Sequence, residues 1–361
     1  MLGQAGEGGN HPWHAAVNAR SLTVPELRIR MARVDSRSVL ATAMAAGRVK
    51  LGILAWPQYT EWTLLRDAGA AVDRLGLDSL WTWDHLYPIV GSPDGPEFEG
   101  YMTLAGWAAV TKRVTLGLLV GANTFRNPAL VVKMVTALDH MSGGRAVLGL
   151  GGAWFGLEHE AFGFEFGSST GERLDWLDEA AMIVRGMLDG ARPSGRHTYG
   201  TRSVRNEPPP VQQRLPFLIG GAGERKTLAT VARYADMWNV SGDVETIRHK
   251  DEVLRRWCHE VGRDSDEIER TLLPGVVVVR RSEREVQAVV DRIRQVNRGF
   301  DKDIEQAGLP EQIVERLAPY LDLGFHSMFF DFPAPFDQET LELLATEVRP
   351  GLEARLKAQP I

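Results

Sequence analysis

Beyond residue 47 the chain repeats one pattern eight times without interruption: a short apolar run, then a longer stretch of helical period. The run at 49–56 predicts a strand, which Pro57 ends. Thr60 is placed to cap a helix whose Leu64, Ala68, Ala71 and Leu75 share a face, and Gly76 stops it. Further strands are predicted over 78–83, 114–120, 146–151, 215–220, 236–240, 272–279 and 325–332. Helices are predicted over 101–111, 128–141, 171–188, 224–234, 244–261, 283–297 and 338–356, with an extra one at 310–323. Pro128 sits near a helix start, where a missing N–H costs nothing. An open doubly wound sheet is the alternative, but eight βα units in one series favour a closed (β/α)8 barrel.

Composition bounds the rest. With 361 residues, 44% apolar and 24% charged, the chain has the balance of a globular enzyme, and loop insertions account for its length. A net charge of −6 and the lack of a long Lys/Arg run disfavour nucleic acid and anionic membranes as partners. No run of about 18 apolar residues suggests a membrane span. A single cysteine, Cys258, allows neither an internal disulfide nor a cysteine metal site, which suits the cytoplasm. Residues 1–47 show no periodic apolar face and no secretory pattern. They are expected to be a poorly ordered extension ahead of a barrel domain at 48–357. Met31 and Met44 offer later translation starts, and Glu7, Glu26 and Asp35 oppose a transit peptide.

Long loops at 86–100, 153–170, 191–214 and 298–309 break the short-loop expectation. Those after strands two and four fall at the C-terminal face, where such barrels do their chemistry. Asp84-His85 ends strand two; His85 could donate a proton or hydrogen bond there, or simply cap the strand. Gly149, Gly151 and Gly152 end strand four, followed by Trp154. Bare backbone can approach a flat ring or a phosphate, or serve tight packing. After strand five, Gly220, Gly221, Ala222, Gly223 and Glu224 lead into a helix, with Arg225 and Lys226 adding charge. A Gly-rich turn at a helix N-terminus is a phosphate site. The bland alternative is a helix start with two solvated cations. Tryptophans 56, 62, 81, 83, 107 and 154 serve either an aromatic cavity or barrel packing.

Hydrolytic readings fail. Strand one ends in Ala55-Trp56-Pro57, not His-x-His, and His159-Glu160 lacks the second histidine of a zincin helix. No Gly-x-Ser-x-Gly elbow occurs. His140 and His159 are expected to be solvated or helix-capping.

The ordered pieces Asp78-Ser79-Leu80-Trp81, Asp84-His85, Thr124-Phe125-Arg126-Asn127-Pro128, Asp139-His140-Met141-Ser142-Gly143-Gly144-Arg145, Leu148-Gly149-Leu150-Gly151, Gly171-Glu172-Arg173, Ile219-Gly220-Gly221 and Tyr234-Ala235-Asp236 resemble the luciferase-like monooxygenase superfamily. Within it the chain most resembles bacterial coenzyme F420-dependent oxidoreductases, over roughly 48–355. The resemblance implies that Asp84 and His85 lie beside an isoalloxazine-type ring. It implies a cis-peptide bulge at Leu119-Val120 behind that ring, with Asn123 and Thr124 just beyond. Gly151, Gly152 and Trp154 match the ring edge, and Gly220 to Glu224 match the phosphate loop. Relatives often carry Asn after this Trp; here Phe155 and Gly156 follow, which implies a more apolar pocket.

Three readings follow. An F420 enzyme would pass hydride to or from a small-molecule substrate, with His85 as proton donor. An FMN enzyme would use reduced flavin and oxygen, served by a separate cofactor reductase. A barrel without catalysis would only bind; the intact Asp84-His85 and phosphate loop argue against it. A homodimer is expected.

Overall fold

The computed structural model describes residues 48–358, so the expectations for 1–47 lie outside the described residues. The first half runs β1 (Lys50–Ala55), α1 (Trp62–Arg74), β2 (Ser79–Thr82), α2 (Gly100–Val110), β3 (Thr115–Leu118), β4 (Gly121–Ala122), α3 (Pro128–Ser142), β5 (Ala146–Gly151), α4 (Gly156–Phe162) and α5 (Thr170–Leu188). The second runs β6 (Phe217–Gly220), α6 (Thr227–Tyr234), β7 (Met237–Val240), α7 (Val244–Val261), β8 (Glu269–Leu272), β9 (Val277–Val279), α8 (Glu283–Val296), β10 (Gln306–Gly308), α9 (Pro310–Leu321), β11 (Ser327–Phe332), α10 (Gln338–Leu343) and α11 (Arg349–Lys357).

Strand order is β3-β2-β1-β11-β8-β7-β6-β5-β4, and β3 also pairs with β5, so the parallel sheet closes. The expected (β/α)8 barrel is therefore present. Alternation along each strand sends every second side chain to each face. On β11, Met328, Phe330 and Phe332 join the layer beneath the helices. Phe329 points into the barrel, where it packs on Trp81 with ring centres 4.6 Å apart. Asp331 follows it on that inner face, one layer higher, in register with Leu54 of β1.

Several elements depart from expectation. The run at 272–279 is two strands, β8 and β9, because Pro274 has no N–H to give and Gly275 turns at φ +95. β9 leaves the barrel wall and pairs with β10, which the sequence hides inside a loop. The third strand is split into β3 and β4 by the cis peptide Leu119-Val120. The loop after β5 contains the short helix α4. Helix α1 starts at Trp62 behind Glu61, not Thr60, and turns Leu65, Ala68 and Val72 inward, leaving Leu64 half exposed. The closing helix widens into a π turn at Leu344–Val348, just ahead of Pro350, which cannot supply an N–H to the ladder.

Candidate active site

The C-terminal ends of the strands surround a cavity of about 1050 Å³. Of the residues expected to serve a cofactor, Asp84, His85, Leu119, Val120, Gly151, Gly152, Trp154, Gly220, Gly221 and Gly223 all line it. Asn123, Thr124, Ala222 and Glu224 do not. Asn123 is buried beneath the site, where its side-chain amide donates to the Arg173 carbonyl and its own carbonyl accepts from the Tyr199 hydroxyl. Thr124 meets His159 at 2.7 Å. Ala222 packs on the outer core. Glu224 turns outward to pair with His249 and Lys250.

His85 follows β2, and its Nδ1 lies 2.9 Å from Glu158 Oε1 on the first turn of α4. Glu158 Oε2 accepts the Leu86 amide at 2.9 Å. An ionised carboxylate can only accept, so the contact assigns the ring hydrogen to Nδ1 and leaves Nε2 without a protein partner among the described residues. Trp154 and Phe155 stand edge-on to the ring, with centres 5.4 and 5.9 Å away. The pair has the chemistry to hold or pass a proton, with the ring oriented by its carboxylate partner. Glu158 escaped the sequence reading; nothing local tells that it turns back to a histidine 73 positions earlier.

Asp84 is tied rather than free. Both its oxygens take Arg126, the shorter contact being 2.7 Å, and one also accepts the Ala122 amide. Burial pushes its carboxyl up to about 6, against the pull of the guanidinium. Arg126 further bonds Glu99 at 2.7 Å. Asp84 thus fastens the end of β2 to β4, and Arg126 is spent in doing so. His159, expected to be solvated or helix-capping, is buried: its ring bridges the Phe155 carbonyl and Thr124 among Phe125 and Phe166. Burial pushes its pKa down.

The wall formed by the ends of β5 and β6 is stripped of side chains for a reason the sequence does not reveal. A Cβ on Gly149 would collide with the Leu118 carbonyl oxygen. One on Gly151 would meet Val120 at 2.6 Å, and one on Gly220 would meet it at 3.0 Å. These glycines therefore make room for the bulge after β3. The same bareness continues past β6: Gly221 is at φ +125, a conformation side chains rarely adopt. Helix α6 starts at Thr227, three residues later than expected, as the Trp257 indole and α7 hold Glu224 outside it. Among the described residues, the amides of Ala222, Gly223, Glu224 and Arg225 donate to no backbone carbonyl. They open beside the helix N-terminus, a polarity that favours an anion. Lys226 pairs with Asp175, while Arg225 stays exposed.

Two tryptophans, tilted 36° to each other, complete the mouth. Trp56 and Trp83 lie 5.3 Å apart, and each indole donates to a carboxyl: Trp56 to Asp331 at 2.7 Å, Trp83 to Glu97 at 2.8 Å. Burial pushes Asp331 up to about 6 and Glu97 up to about 8. Trp81 and Trp107 are core, as the packing alternative had it.

A parallel (β/α)8 barrel with its polar groups at the C-terminal mouth defines an enzyme of the barrel class. A family model described as luciferase-like monooxygenase matches residues 44–320, and the chain belongs to that family. It is an oxidoreductase. An F420-dependent glucose-6-phosphate dehydrogenase of Microbacterium testaceum is 26% identical over 322 residues, covering 81% of this chain and 94% of the relative. The coenzyme F420 dependent tetrahydromethanopterin reductase of Methanopyrus kandleri shares the fold at TM-score 0.68 and 18% identity, covering 84% of this chain and 99% of that one. So does the oxygenating constituent of 3,6-diketocamphane monooxygenase from Pseudomonas putida, in complex with FMN, at TM-score 0.65 and 15% identity, covering 84% and 98%. Among the described residues, no helix is long and apolar enough to cross a membrane, and no group of three His, Cys, Asp or Glu side chains could hold a metal ion.

Proposed function

We propose that this chain transfers hydride between the deazaflavin F420 and a small organic substrate. The observation that carries the reading is a single cavity bounded by the His85–Glu158 pair on one side and by bare backbone leading to the α6 amides on the other. The residues present fit a flat ring with a phosphate-bearing tail, since a Cβ at Gly152 or Gly221 would crowd the wall against Leu174 or Thr227. When bound, F420 supplies a two-electron carrier that gives or takes hydride at C5 of its ring. Asp84, His85, Leu119 and Val120 would lie beside and behind the ring, and Gly151, Gly152 and Trp154 along its edge. Gly220, Gly221, Gly223 and Thr227 would carry the phosphate side. His85 would hold or release a proton at Nε2, with Glu158 keeping the ring turned to the cavity. The F420-dependent relative supports this reading, because its match spans 94% of that protein.

The shared fold with an FMN-bound monooxygenase makes FMN the second reading, with a separate reductase supplying the flavin. Fluorescence titration of the purified protein with each cofactor separates the two. F420 is expected to bind at least tenfold tighter than FMN, about 1.4 kcal/mol. Tight FMN binding without F420 binding would overturn the choice of cofactor and keep the family.

A further inference from the structure

Asp331 is the last inward-facing residue of β11, and β11 lies four strands from β5 in either direction around the eight-stranded wall. It therefore stands across the barrel mouth from the bare Gly149–Gly152 wall. Its Oδ1 is fixed by the Trp56 indole at 2.7 Å. Its Oδ2 has no hydrogen-bond partner among the described residues, yet is not sealed in protein, because Asp331 lines the cavity. No cation among the described residues pairs with it. A half-buried carboxyl among apolar side chains, with one satisfied oxygen and one open to a cavity, is a ready hydrogen-bond acceptor for a ligand there. Apolar Leu54, Trp56 and Val276 lie beside it.

Resting on the F420 reading, we propose that this side of the cavity is the substrate compartment, and that Asp331 Oδ2 accepts the hydroxyl of an uncharged, largely apolar alcohol. The charge around the compartment gives the selectivity. Among the described lining residues Lys302 is the one Lys or Arg, against six carboxyl residues: Asp84, Glu158, Asp243, Asp303, Glu305 and Asp331. A phosphorylated sugar placed here would meet carboxylates, and like charges brought together cost affinity and turn ligands away. An apolar alcohol loses nothing to that field and covers the aromatic wall. The Trp56 N–H holds the carboxyl plane so that Oδ2 faces inward; burial keeps Asp331 less acidic than usual, at about 6, so it is ionised and accepting at neutral pH.

The test uses the full chain loaded with reduced F420, in which an alcohol binds without turning over. Cyclohexanol and glucose 6-phosphate are titrated separately by saturation-transfer NMR. Cyclohexanol is expected to saturate and glucose 6-phosphate to show no binding at the same concentrations. Asp331→Leu should weaken cyclohexanol at least tenfold, Asp331→Asn and Trp56→Phe by a smaller factor, with F420 affinity within twofold of wild type in all three. A carboxyl with a purely structural role would lower the Tm and leave the cyclohexanol Kd of the folded variants unchanged, which overturns the proposal. The isosteric Asn variant keeps the test open if the Leu variant does not fold. Binding of glucose 6-phosphate without cyclohexanol, or of neither, also overturns it while F420 binding stands. Absence of both F420 and FMN binding would remove the cofactor reading, and this inference with it.

Discussion

The proposed role of His85 as proton carrier requires its ring to keep one orientation, and the contact with Glu158 from another loop holds it at 2.9 Å. His85→Ala is expected to lower kcat by about 10²–10⁴ with little change in cofactor affinity. Glu158→Gln should lower it by a smaller factor, since the amide oxygen still accepts from the ring but the Leu86 amide and the imidazole lose the charged acceptor that fixes them. Full activity in His85→Ala would leave hydride transfer to positioning alone. Glu97 makes a prediction of the opposite kind, about stability. Its ordinary pKa of 4.5 is pushed up to about 8 by burial. The unfolded chain loses this proton above about 4.5 while the folded chain keeps it until about 8, so folding weakens as pH rises between them. Glu97→Gln removes that slope: the variant's Tm should gain on wild type as pH climbs from 5 to 8, on the order of a few degrees. Parallel Tm curves for the two proteins would mean that Glu97 is not held protonated.

At the scale of elements, the glycines at the ends of β5 and β6 divide by what they face. Gly149 faces the Leu118 carbonyl oxygen and belongs to the bulge. Gly149→Ala should therefore cost stability, on the order of 1–3 kcal/mol for overpacking, seen as a lower denaturation midpoint. Gly221 faces the cavity ahead of α6. Gly221→Val should weaken cofactor binding at least tenfold in the folded protein, about 1.4 kcal/mol, alongside a lower Tm from its positive φ. If affinity holds at Gly221 and falls at Gly149 instead, the phosphate lies elsewhere than α6. Helix α4 shows how a loop element can matter more than its length: seven residues carry Glu158 to His85 and His159 into the core.

For the whole molecule, closure of the sheet through β3 and β5 needs nothing before Arg48, which itself pairs with Asp78 at the foot of β2. A chain shortened to 48–361 is expected to keep its Tm within about two degrees and its cofactor affinity unchanged. A loss of several degrees would show that the first 47 residues add contacts to the barrel. The positive charge beside the Gly-rich turn is smaller in the fold than along the sequence: Lys226 is committed to Asp175, and Arg225 remains exposed.

The barrel was legible in the sequence because its signal is local and repeated. Apolar runs and helical periods are set by neighbours within a few residues, so β5 and α7 fall on their predicted bounds, and His85 falls at a strand end facing the mouth. The split of the run at 272–279 was also written there, in Pro274-Gly275, but a continuous apolar string conceals it. Only the tertiary structure decided the rest. Glu158 reaches His85 across 73 residues, Asp331 reaches Trp56 across 275, and the Gly149 backbone is bare because a carbonyl from β3 lies against it. Such pairings depend on strand order and register, which bring distant residues together. Periodicity along a chain carries no information about them, because it records which face a residue takes and not what it will find there.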